Sequence, residues 1–186
     1  MTALTAALAV GVGIHLALTL FLSLRYLEGR ERQIGWWTIA YAFFTAHLVA
    51  EALITVVPAD ALFAVRHVLF IAAAWAIVYS FRPDPRINAL AALAVVLAIW
   101  LTLISWLAGA VTASVTGSAG LVASAVLLYR REAGLQTTSV RLLFWGLLLG
   151  GIHSLDYPLL RLQPASLTPR AEMPPVREPV PRRLEH

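Results

Sequence analysis

The sequence predicts an all-α protein: a polytopic transmembrane bundle of six spans, followed by a disordered tail rich in Pro and Arg. Three observations predict it. Of the 186 residues 60% are hydrophobic and only 13% charged, about half the charged share of a soluble domain. The apolar residues gather into six stretches, each near the ~20 residues a helix needs to cross hydrocarbon. The arginines between these stretches fall in alternate loops, which is how a polytopic chain fixes its orientation.

Span one is Ala3–Leu24. The uncharged Met1-Thr2-Ala3-Leu4 before it lacks the basic start of a signal peptide, and Arg25, Arg30 and Arg32 follow it. It therefore reads as a retained span that enters with its N-terminus outside. Span two, Gly35–Val57, opens on Trp36 and Trp37 and ends at Pro58-Ala59-Asp60. Span three, Ala61–Phe81, is followed by Arg82 and Arg86. Span four, Ile87–Leu107, holds Trp100 and Trp106, and the loop after it, near Gly109, has no basic residue. Span five, Ala110–Leu128, is crowded with small residues from Thr112 to Gly120, and Arg130, Arg131 and Arg141 mark the loop after it. Span six, Val140–Leu160, begins near Trp145 and carries Gly146 and Gly150 at small-xxx-small spacing. Such spacing lets helices approach closely in lipid; packing within the bundle is the plainer use, a homodimer through spans five and six the other. The connections are short, so neighbouring spans should be antiparallel. The tryptophans read as interfacial belt or packing residues.

The bundle thus covers 1–161 and the tail 162–186. With the N-terminus outside, loops one, three and five are cytoplasmic and six spans leave the tail external. The tail carries Arg170, Arg177, Arg182 and Arg183, diluted by Glu172, Glu178 and Glu185. Either the chain stops before a seventh span or the tail is external; the first is the favoured reading.

Composition also excludes chemistry. There is no cysteine, hence no disulfide, thiolate metal site or thiol catalysis. All 14 basic residues are arginine, so no lysine can hold a retinal Schiff base. The basic charge is that of membrane orientation signals rather than a nucleic-acid surface. Arginine without lysine beside abundant Ala, Leu, Val and Pro suggests a GC-rich bacterial genome, and so a bacterial inner membrane.

Against this apolar background stand His15, His47, Glu51, Arg66, His67, His153 and Asp156. Ionisable groups at bilayer depth are costly and mark sites. Counting ~1.5 Å per residue along each span places all seven between the midplane and the outer face. His47 and Glu51 are four apart and His153 and Asp156 three apart, so each pair shares a helix face. Arg66 supplies the cation that Glu51 or Asp156 needs in low dielectric. Glu51, Arg66 and Asp156 are expected to form one polar network. The candidate ligand site is His47, Glu51, Arg66, His67, His153, Asp156 and Tyr157, between spans one, two, three and six. A purely structural network, or interfacial placement of Arg66, His67, Asp156 and Tyr157, is the plainer alternative. Proline disfavours helix in the residue before it, so span six should kink or end near Tyr157.

The stretch Trp145-Gly146, then His153-Ser154-Leu155-Asp156-Tyr157-Pro158-Leu159-Leu160-Arg161, resembles a motif near the end of the penultimate span in bacterial multi-span sensor regions. Those regions precede histidine kinase, PAS or GGDEF (diguanylate cyclase) output domains and normally run on through a seventh span. The resemblance implies a signal-input module that binds a small ligand or ion and couples to a cytoplasmic output domain or partner. It implies no enzyme activity in this chain, which holds no kinase H-box, GGDEF or PAS-like stretch. Two other functions fit the residues. Haem or a divalent metal would be held by His47 and His153, with His15 as a third ligand, since imidazole binds both. A small proton-coupled transporter would use the buried acids and histidines as a relay, but no internal repeat is visible.

Overall fold

The computed structural model describes the backbone of residues 3–54, 56–57, 60–132 and 137–161, and the side chains of 6–54, 56–57, 61–132 and 137–155. The tail, 162–186, lies outside the described residues. Six helices follow in order: α1 (Ala3–Gly29), α2 (Arg32–Ile54), α3 (Asp60–Phe81), α4 (Pro85–Ile104), α5 (Trp106–Arg131) and α6 (Thr138–Arg161). All six contain a stretch long and apolar enough to cross a membrane.

Local chemistry sets the helix ends. Asp84 caps α4, its carboxylate accepting from the Arg86 amide at 2.9 Å with Pro85 in the first turn, where a missing N–H costs nothing. Ser105 closes α4 and caps α5, its hydroxyl accepting from the Ala108 amide. The turn between spans four and five is therefore this single extended residue. Gly109, expected near the loop, lies inside α5. Its role there is close approach: a Cβ on Gly109 would stand 2.8 Å from the Thr102 Cα. Of the expected kink or end near Tyr157, the end is corrected, since α6 continues to Arg161. Pro158 falls in the last turn, so only one backbone bond is forfeited, and membrane helices tolerate that locally.

Helices α3 and α5 form the centre. α3 packs on α2, α4 and α5, and α5 packs on α3, α4 and α6; among the described residues the backbone of α1 comes close to α2 alone and that of α6 to α5 alone. One apolar cluster joins α2, α3, α5 and α6 through Ala40, Ala74, Ile77, Leu121, Ala125 and Leu147. A second joins α3, α4 and α5 through Ile71, Ala94, Ala98 and Ala113. The small residues of α5, including Gly109, Ser114, Gly117, Ser118 and Gly120, are buried within the bundle. In α6 the close approach falls at Gly151, whose Cβ would meet the Ser118 carbonyl at 3.2 Å. Gly146 has nothing within 4 Å, and Gly150 is loosely packed.

The arginine-bearing loops sit at one end. Arg131 donates to the Gln33 side chain at 2.9 Å, joining the end of α5 to the start of α2. The Arg32 guanidinium lies over the Tyr79 ring near the end of α3. The surface between the ends is apolar: Leu20, Phe21 and Leu24 on α1 and Leu93, Val96 and Leu103 on α4 are exposed, whereas Arg66 and His67 are 2% and 3% exposed. Apolar outside and charge inside inverts the pattern of a water-soluble protein.

Candidate functional site

In the half of the bundle away from the arginine loops, a polar chain crosses three helices. The Arg66 guanidinium on α3 donates to the Glu51 carboxylate on α2 at 2.5 Å. Its other terminal nitrogen lies 2.7 Å from His67 Nε2. His67 Nδ1 lies 3.1 Å from the Thr102 hydroxyl of α4, which donates to the Ala98 carbonyl at 2.6 Å. Each direction follows from what the groups can give. Arginine only donates, so His67 Nε2 accepts. The Thr102 proton is committed to Ala98, so His67 Nδ1–H donates to its oxygen. The network thereby assigns His67 the neutral Nδ1–H tautomer. The Arg66 guanidinium also lies 5.5 Å from the Phe63 ring centroid, within cation–π reach.

His47, four residues before Glu51, joins this chain through the backbone. Its Nδ1–H donates to the Arg66 carbonyl at 3.1 Å, and its ring lies against Phe70, centroids 5.4 Å apart. Phe70 in turn rests on Gly117 of α5, where a Cβ would collide with the ring. α2, α3 and α5 are thus held in register around one space.

That space is a cavity of about 410 Å³, within the ~300–1,000 Å³ range of small-molecule sites. His47, Glu51, Arg66, His67 and His153 all line it, so five of the seven candidate ligand residues come together. The side chains of Asp156 and Tyr157 lie outside the described residues, as does the expected third member of the Glu51–Arg66–Asp156 network. His153 is exposed and stands at the cavity's α6 side. His15 does not line the cavity. Its Nδ1 meets the Gly11 carbonyl at 2.9 Å, and its ring packs against Tyr41 and Phe44. The three histidines proposed as metal ligands therefore do not converge. Among the described residues no group of three His, Cys, Asp or Glu is placed to hold a metal.

Two helices contribute more than the residue pattern indicated. α5 supplies Ala110, Ala113 and Ser114 to the lining, and α4 supplies Thr102 to the network. Ser114 reads from sequence as a packing serine, and Thr102 as an ordinary polar residue. Their depth, matching His67, was the signal that could have found them. Where α5 meets α6, Ser118 donates to the Gly151 carbonyl, and Ser154 lies 2.9 Å from Ser118 and 2.8 Å from the same carbonyl. No family model, curated protein or solved structure matches this chain.

Proposed function

We propose that this chain is a membrane-embedded signal-input module of a bacterial inner membrane. It binds a small ligand in the cavity beside the Arg66 network and passes the change to a cytoplasmic output domain or partner. The observation that carries the reading is a ligand-sized cavity whose polar wall is a hydrogen-bonded chain through α2, α3 and α4. A ligand that perturbs the bond from His47 to the Arg66 carbonyl acts on two helices together. Only differential binding to two packings can shift an equilibrium between them, and a shared junction offers that difference. The resemblance of the Trp145–Arg161 stretch to sensor regions supports the same reading. Kinase or cyclase activity would belong to the output partner.

The orientation proposed places the N-terminus outside and the loops at Arg25–Arg32, Arg82–Arg86 and Arg130–Arg141 in the cytoplasm, which sets the cavity in the outer half. Reporter fusions at Gly29 and Ser105 should give opposite signals; equal signals would overturn it. The sensing role is tested by joining the chain, through one further transmembrane helix, to a diguanylate cyclase domain. His47→Leu and His153→Ala should abolish any ligand-dependent output at unchanged expression. A normal response in both would reduce the cavity to a structural feature.

A second reading, a haem or metal protein, rests on His47 and His153 lining one cavity. A haem absorption band in the purified protein, lost in His47→Leu, would favour it over the first.

A further inference from the structure

The chemistry of the cavity wall narrows the ligand, on the reading above that the cavity is a ligand site. Most hydroxyls in this bundle satisfy themselves locally. Thr19, Ser23, Thr38, Thr45, Thr112 and Ser124 each donate to the carbonyl four residues earlier. Ser114 does not. It is 5% exposed, it lines the cavity, and its hydroxyl has no hydrogen-bond partner among the described residues. The Ser114 oxygen is not among the buried atoms that lack a partner, so it opens onto the cavity rather than into packed protein.

His47 presents a second open valence on the same wall. Its Nδ1 is committed to the Arg66 carbonyl, and Nε2 has no hydrogen-bond partner among the described residues. A neutral imidazole that donates through Nδ1 accepts through Nε2. The wall therefore offers an acceptor at His47 and a hydroxyl at Ser114 that can donate. A hydroxyl satisfies both, since it gives one proton and accepts another.

Charge points the same way. The formal charges on the described lining residues are Glu51 and Arg66, and these pair with each other. His67 is held neutral by its partners. Among the described lining residues an ionic ligand would find no carboxylate or guanidinium that is not already paired. The remaining lining is largely apolar, including Leu8, Leu48, Phe70, Ala110 and Ala113.

We infer that the cavity takes an uncharged amphiphile, an alcohol or phenol with a compact apolar body. Its hydroxyl donates to His47 Nε2 and accepts from Ser114 Oγ, while its body lies against Phe70 and the alanines of α5.

The full chain in phosphatidylcholine vesicles, labelled with azi-octanol (a photoreactive alkanol), tests this. Adducts should map to the peptides bearing His47 and Ser114, saturate, and be displaced by excess 1-octanol. Ser114→Ala keeps the space but removes the hydroxyl and should weaken labelling about fivefold, the equivalent of one hydrogen bond of about 1 kcal/mol. Ser114→Leu fills the space and should abolish it, with an unchanged melting curve required for that variant to count. A photoreactive octanoate should label the cavity at least tenfold less. Unsaturable adducts spread over exposed α1 and α4, wild-type labelling of Ser114→Ala, or equal labelling by the carboxylate would each overturn the inference. Saturable cavity labelling with a silent cyclase chimera would uphold it and sink the sensor reading. A chimera that responds to 1-octanol while the cavity stays unlabelled would sink this inference alone.

Discussion

Where α2, α3 and α4 meet, the contact is made by long polar side chains: Glu51, Arg66, His67 and Thr102 in one hydrogen-bonded line. Where α5 meets its neighbours, the closest approaches fall at glycines. Gly109 lies on Thr102, Gly117 on Phe70, and Gly151 of α6 on the Ser118 backbone. Both junctions solve the same difficulty. Helices apolar enough to cross a membrane would have no hydrophobic reason to associate in lipid, and would have to gain from close packing or from polar bonding. The polar junction is directional and leaves room beside it, and the cavity lies there. The small-residue junction is dense and leaves none. The difference teaches that the cavity is bounded on one side by groups able to change partners and on the other by a wall that cannot move without separating helices.

The largest expected effect breaks the polar junction. Arg66→Met removes the cation beside the buried Glu51 carboxylate and the donor to His67. It should lower stability in detergent by about 3–5 kcal/mol, as loss of one partner of a buried pair does. Arg82→Met, whose guanidinium is largely exposed and 3.8 Å from Asp84, should cost no more than about 1 kcal/mol. Thermal unfolding of the two side by side decides the matter; equal curves would mean the network holds nothing together. Adding Glu51→Gln to Arg66→Met should recover part of the loss, because the unpaired charge goes with it.

Gly109→Ala tests the dense junction and its link to the polar one. The new methyl meets the Thr102 backbone, which cannot rotate away, so α4 and α5 must separate. Overpacking of this kind costs about 1–3 kcal/mol. It should also loosen the His67–Thr102 bond, so Gly109→Ala and Thr102→Val together should cost less than the sum of the two alone. Strict additivity would show that the junctions are independent.

Thr102→Val alone keeps the shape and removes the hydroxyl. Interhelical hydrogen bonds in membrane proteins average about 0.6 kcal/mol, and a loss near that size is expected in the melting curve. Gly146→Ala, at the small-residue position with open space around it, should fall within about 0.5 kcal/mol of wild type. A large loss there in the purified protein would mean that Gly146 faces another molecule.

The sequence by itself determined the six helices, because each apolar stretch has the length of a span and each loop its own punctuation. It placed His47, Glu51, Arg66, His67 and His153 at a common depth, because depth follows from position along a rigid helix. It did not determine which way each side chain turns. His15 has the depth of the others yet faces Tyr41 and Phe44, since rotation about the helix axis is set by neighbours and not by count. Nor did it separate a hydroxyl that bonds its own helix, such as Ser124, from one left open, such as Ser114: both read as small packing residues. Only the tertiary structure decided that α5 forms a wall of the cavity, that Ser105 alone makes the turn from α4 to α5, and that the backbone of α6 packs on α5. These depend on how closely backbones approach, which is fixed by the whole set of contacts across helices distant in sequence.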